Sequence, residues 1–291
     1  MFYRRKILLA LLQQFGGTLQ RTQMQKLLLL LTHQQKKPSF DFVPYKYGAF
    51  SFQVNADKKT MIKYGDLADC DNWKINTKTN YRAQLKPEDQ KVLQNLYHQF
   101  KNTPSEELIR YTYQQYPFYA IRSEIADELL SPEDRHRIEL FRPNNTEQSL
   151  YTIGYEGITA EEYLNKLLKN NINILVDVRK NSKSMKFGFS KNQLKNMCER
   201  LGIKFLHIPE LGIESNKRKD LVAEQDYKIL FKEYQKETLP AQSDALKTLS
   251  DLVNQYERVA ITCFEKHHSC CHRHKISEYL HEHYGVSVKH L

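Results

Sequence analysis

The sequence predicts an α/β fold in two parts, on three observations. Across residues 149–291 short apolar runs alternate with helical periodicities, the pattern of a Rossmann-like parallel sheet flanked by helices. Across residues 1–142 helices dominate and a hairpin follows the first two or three of them, the order of a mainly α-helical, winged-helix-like domain. Between the two, the stretch from Arg142 and Pro143 through Asn144 and Asn145 to Ser149 loses apolar periodicity and carries a turn signal, which sets the boundary.

The first part begins with apolar Ile7, Leu8, Leu11 and Leu12 on one helical face, stopped at Gly16 and Gly17. Thr18 or Thr22 is the expected cap of a second helix carrying Met24, Leu27, Leu28 and Leu31. An aromatic turn over 45–52 leads to a short helix that ends near Tyr64 and Gly65. Residues 73–75 and 81–83, separated by polar residues, read as the hairpin. Helices are then expected over 87–101, 104–116 and 120–130.

In the second part, Leu150 to Ile153 reads as a strand, followed by a helix that Thr159 caps with Glu162 three residues on. The run 172–178 is nearly continuously apolar, as expected of a buried parallel strand. A helix over 191–201, a strand over 204–208, a long connection containing helices, a strand over 258–264 and a helix over 273–284 complete the order. Ligands in such sheets sit beyond the carboxyl ends of the strands. Those ends deliver Tyr155 and Glu156, then Asp177 and Arg179, then His207 and Glu210, and finally Cys263 and Glu265.

Composition narrows the function classes. The chain has 291 residues, with 44 Lys plus Arg against 34 Asp plus Glu and a formal charge of +10, which suits an acidic partner such as DNA, RNA or a nucleotide. The excess is shared by both parts. Apolar runs such as 27–31 fall far short of the roughly 20 residues of a membrane span, and no secretion signal opens the chain, so a cytoplasmic protein without a membrane partner is expected. Of five cysteines, three fall within nine residues, Cys263, Cys270 and Cys271, amid His267, His268, His272 and His274. That grouping argues for thiol or metal chemistry over a disulfide framework.

Three chemistries compete for this loop. Anion binding leads, with Cys271, His272 and Arg273 at the start of the last helix, where backbone N–H groups favour negative charge. Thiol chemistry follows, with Cys263 or Cys271 as nucleophile. A zinc site would draw on Cys263, Cys270 or Cys271 with His267 or His272, but no second pair of closely spaced ligands completes a zinc-knuckle pattern, so no cofactor is assigned. A second loop, 179–191, interleaves Lys183, Lys186 and Lys191 with Phe187 and Phe189 around Gly188, a composition suited to nucleic acid.

Thr152 through Gly157, Asp177-Val178-Arg179, Phe187 through Ser190, His207 through Gly212, Cys263-Phe264-Glu265 and Cys271-His272-Arg273 stand in the order of the family catalogued as domain of unknown function 488, which the region from Ser149 to Leu291 resembles. The resemblance implies a compact α/β domain with a polar pocket built from those motifs, and no established reaction. The sequence departs from the pattern at Asn181-Ser182-Lys183, where a proline often follows the basic residues, and in the additional Cys270. Gln25 through Leu28 and Phe42 through Ser51 are similar to the winged-helix-like Panacea antitoxin group.

Together these readings lead to an enzyme acting on nucleic acid or a nucleotide-like phosphorylated ligand, by glycosidic or phosphodiester cleavage. Asp177 or Glu265 is the expected acid or base, Cys263 or Cys271 the nucleophile, Arg179 and Arg273 the anion holders, and Tyr155 a stacking or hydrogen-bonding group. The alternative is a non-catalytic regulator, a toxin–antitoxin or phage-defence component that senses a nucleotide or a partner protein.

Overall fold

The computed structural model describes residues 1–214, 217 and 224–291. The chain forms two compact units, Met1–Arg142 and Pro143–Leu291.

The first unit runs α1 (Tyr3–Gln14), β1 (Thr18–Leu19), α2 (Arg21–Gln34), β2 (Val43–Tyr45), β3 (Gly48–Phe50), α3 (Phe52–Lys63), β4 (Trp73–Lys74), α4 (Pro87–Phe100), α5 (Ser105–Gln115), α6 (Ala126–Leu129) and α7 (Pro132–Glu139). The apolar faces of α1 and α2 meet in one core that also takes in Trp73. Three expectations are corrected here. The cap of α2 is Gln20, which forms a capping box with Gln23, because Thr18 is drawn into β1 and Thr22 lies inside the helix. No hairpin forms over 73–83: Trp73 and Lys74 pair with Leu19 and Thr18, and Arg82–Gln84 is a 3-10 turn. The unit's hairpin is the aromatic segment itself, with Val43 opposite Phe50 and Tyr45 opposite Gly48. Finally, the helix expected over 120–130 is divided into a 3-10 turn, Pro117–Ala120, and the short α6. Ser123 makes the break, its hydroxyl accepting from the Ile125 N–H and meeting the Tyr113 hydroxyl at 2.8 Å.

Lys26 of α2 is buried beneath that hairpin, its ammonium bonded to the carbonyls of Tyr47 and Ala49. Gly48, at φ +85°, leaves room for it: a Cβ there would stand 2.3 Å from the Tyr113 ring and 2.9 Å from Lys26 Nζ.

The second unit runs β5 (Ser149–Gly154), α8 (Ala160–Lys169), β6 (Ile174–Asp177), α9 (Lys191–Arg200), β7 (Lys204–His207), α10 (Glu224–Glu233), α11 (Ser243–Tyr256), β8 (Arg258–Cys263), α12 (His272–Tyr284) and β9 (Val288–His290). Its five strands are all parallel, in the order β7-β6-β8-β5-β9. This is the α/β sheet flanked by helices that the alternating pattern predicts, with β9 as an additional edge strand. Part of the helical connection expected between β7 and β8 lies outside the described residues. Thr159 and Glu162 form their capping box at the start of α8.

Period-two alternation assigns the two faces of the sheet. Leu150, Val176, Val259 and Ile261 share a core with Leu249 and Val253 of α11 and Ile276 and Leu280 of α12. Cys263, in phase with Ile261, points to the same face. The chain leaves β6 towards β7 in one direction and leaves β8 towards β9 in the other, so the crevice of this sheet opens at the carboxyl ends of β6 and β8.

Candidate functional site

Asp177 ends β6 and is fully buried. Arg179 folds back onto it, Nε and Nη2 donating to the two carboxylate oxygens at 2.8 and 2.6 Å, while Nη1 donates to the Tyr155 hydroxyl at 2.7 Å. Burial by itself would lower the Arg179 pKa; the bonds and charge of Asp177, with Tyr155, outweigh it and hold the pKa above the usual value. The Arg179 guanidinium is therefore spent on an internal bidentate pair. Tyr155, also buried, stacks its ring on Phe189 at 4.2 Å between centroids and receives Phe264 edge-on at 5.3 Å.

Three loops are laced together around this pair. The N–H groups of Tyr155 and Glu156 donate to the Phe264 carbonyl, the Lys266 N–H donates to the Glu156 carboxylate at 2.9 Å, and Lys186 Nζ donates to the Tyr155 carbonyl at 2.8 Å. Arg273 is 1% exposed, and its guanidinium donates to the carbonyls of Glu265 and Lys266 at 2.6 and 3.1 Å. Gly154 closes the arrangement from below, because a Cβ there would lie 1.8 Å from the Glu265 carbonyl oxygen and 3.1 Å from Arg273 Nη1. Gly154→Ala is accordingly expected to displace the Glu265 backbone and to cost roughly 1–3 kcal/mol by overpacking, read as a lowered unfolding midpoint.

Beside the pair, Cys263, Cys271 and His272 converge, all at most 2% exposed. Cys263 is the last residue of β8; Cys271 is the N-cap of α12 and His272 its first residue. His272 Nε2 lies 3.1 Å from the Val178 carbonyl oxygen, which can only accept, so Nε2 donates there and Nδ1 is the ring nitrogen turned to the thiols. That Nδ1 lies 3.6 Å from Cys263 Sγ and 3.9 Å from Cys271 Sγ. The Glu265 carboxylate, half-buried, is 3.3 Å from Cys263 Sγ. Burial first, then the hydrogen bond and charge of Cys263 and the charge of Glu265, push the Cys271 thiol well above its usual pKa, with Arg273 pulling the other way. A thiol so held stays protonated and is a poor nucleophile. Of the zinc donors suggested by sequence, Cys263, Cys271 and His272 come together, while Cys270 and His267 are exposed on the loop.

The remaining expected site residues lie farther out. His207 Nε2 donates to the Arg179 carbonyl at 2.9 Å. Glu210 is exposed and, with Lys180, Glu214, Lys217 and Tyr234, lines a cavity of about 210 Å³. Tyr234, which sequence reasoning did not single out, joins this cavity to the cluster: its ring meets His272 edge-on at 5.7 Å and its hydroxyl donates to the Leu211 carbonyl. In the basic loop, Lys183 and Lys191 are exposed, and Phe187 and Lys186 are half-buried. Phe189 is corrected. At 0% exposure, stacked on Tyr155 and edge-on to Tyr163, it offers no face to a base and belongs to the core.

A second imidazole group also went unforeseen, because β9 follows Gly285 in a run too short to announce a strand. His290 of β9 stacks on His268 at 3.7 Å, with His274 beside them. Burial and the neighbouring cations lower the His290 pKa to about 4.

Residues 159–280 match the model of a family described as Domain of unknown function DUF488. Searches of curated proteins and of solved structures returned no significant match.

Proposed function

We propose that the DUF488-like α/β unit is a hydrolase acting on nucleic acid or a nucleotide-like phosphorylated ligand, with its reacting groups in the crevice between β6 and β8. The observation that carries this reading is the meeting, at that crevice, of a half-buried carboxylate, Glu265, with two thiols and the Nδ1 of the His272 imidazole. Glu265 is the group that moves a proton during cleavage. The Asp177–Arg179 pair and Tyr155 are positioning residues that hold the loop walls. The exposed Lys180, Lys183 and Lys191 supply the positive surface that draws in phosphate. The N-terminal helical unit recruits the substrate. None of the five cysteines is in a disulfide, which suits the reducing cytoplasm.

A second reading, a non-catalytic sensor of a nucleotide or partner protein in a toxin–antitoxin or defence system, is favoured by one observation: the Arg179 guanidinium and the Nη groups of Arg273 donate inside the protein. An assay separates the two. Against a panel of plain and modified DNA, RNA and nucleotides, Glu265→Gln is expected to lose roughly 10²–10⁴-fold in turnover with binding retained. Equal turnover by the variant, or binding with no turnover by the wild type across the panel, rejects the hydrolase reading. Binding should weaken steeply between low and physiological salt, and Lys183→Ala with Lys191→Ala should reduce that slope.

A further inference from the structure

We propose that Cys263, Cys271 and His272 hold a zinc ion, with its fourth position open towards Glu265, an inference that rests on the hydrolase reading for what the ion does and not for its presence.

The geometry comes first. A tetrahedral zinc with Zn–S near 2.3 Å and Zn–N near 2.0–2.1 Å sets its sulfur and nitrogen ligands roughly 3.6 Å apart. The two thiol sulfurs stand 3.6 and 3.9 Å from His272 Nδ1, and all three donor atoms lie within 4.8 Å of one another. The donors come from the end of a central strand and the first turn of a helix packed on it, so little has to move to close around an ion.

The surroundings agree. His272 donates its other ring N–H to a backbone carbonyl, the outer contact that fixes the tautomer of a metal-bound histidine. Two sulfurs and one imidazole form a soft set that selects zinc over magnesium or calcium. Arg273, buried and with its Nη atoms donating only to carbonyls, places a positive charge beside the thiols. Zinc with two thiolates and a neutral imidazole carries no net charge, which removes the difficulty of a buried anionic cluster. Three protein ligands with one position free is the catalytic arrangement of zinc, and Glu265, 3.3 Å from Cys263 Sγ, is placed to take the proton of a water polarised there. Hydrolysis then proceeds by water attack, in keeping with thiols too buried to attack directly.

The test uses the full chain, purified without added metal, analysed for zinc, stripped with a chelator and titrated with cobalt(II) alone. One zinc per chain as purified is expected, and cobalt should give thiolate-to-metal charge-transfer absorption that an equivalent of zinc abolishes. Cys263→Ser and Cys271→Ser should each lose that absorption, whereas Cys70→Ser and Cys270→Ser, at exposed thiols, should keep it. A folded wild-type protein without the thiolate band overturns the proposal whether or not the variants fold. So does a band that survives in both Cys263→Ser and Cys271→Ser, or a purely nitrogen-ligated spectrum from His268, His274 and His290. Zinc bound without any turnover would reject the hydrolase reading alone, and turnover unaffected by stripping would reject the zinc alone.

Discussion

Asp177→Ala is expected to destabilise the α/β unit by roughly 3–5 kcal/mol, because it strands the Arg179 guanidinium, 5% exposed, without its carboxylate. A lone buried charge is what makes such a loss large; the intact pair adds far less than its removal costs. The double variant Asp177→Leu with Arg179→Met, which removes both charges and keeps apolar volume, should therefore recover much of the loss in denaturant unfolding. A double variant as unstable as the sum of its singles would mean that the two residues act independently. The pair also joins the loops after β5 and β6 through Tyr155 and ties the end of β7 to them through His207, so Asp177→Ala should lower any activity even at temperatures where the unit remains folded.

The N-terminal unit should become more stable as pH rises from 7 to 9.5, by about 3 kcal/mol, through Lys26 alone. Burial lowers its pKa from 10.5 to about 7. Between those values the unfolded chain binds a proton that the folded one has released, so stability grows with pH, and below pH 7 the cost of burying the ammonium is fully present. Tyr3, Tyr113 and Tyr119, each raised to about 12, act in the opposite direction but only above the ordinary tyrosine range near pH 10. Lys26→Met should remove most of the slope between pH 7 and 9.5, the remainder in the same direction coming from Lys58, whose pKa burial also lowers. An unchanged slope in that variant would place the dependence elsewhere.

What the sequence disclosed follows from how local each interaction is. The capping box of Thr159 and Glu162, the buried run of β6 and the order of strand ends are local patterns, and they brought Tyr155, Asp177, Cys263 and Glu265 to one crevice in advance. Trp73 was misread because its partner is Leu19, more than fifty residues earlier, and nothing near Trp73 records that pairing. The type of charge at Arg179 and Arg273 was legible; what each charge is spent on was not, since it depends on the Asp177 carboxylate and the Glu265 carbonyl meeting them in space. Phe189 reads as surface in a basic loop, yet Gly188 at φ +87° packs against Ala160 and turns the ring inward beneath Tyr155.

X-ray absorption at the zinc edge, on protein purified without added metal, tests the central claim most directly. The expected shell holds two sulfurs near 2.3 Å with nitrogen or oxygen near 2.0–2.1 Å, collapsing when Cys263 and Cys271 are replaced by serine. A shell of nitrogen and oxygen only, or no zinc at all in a folded protein, would contradict it.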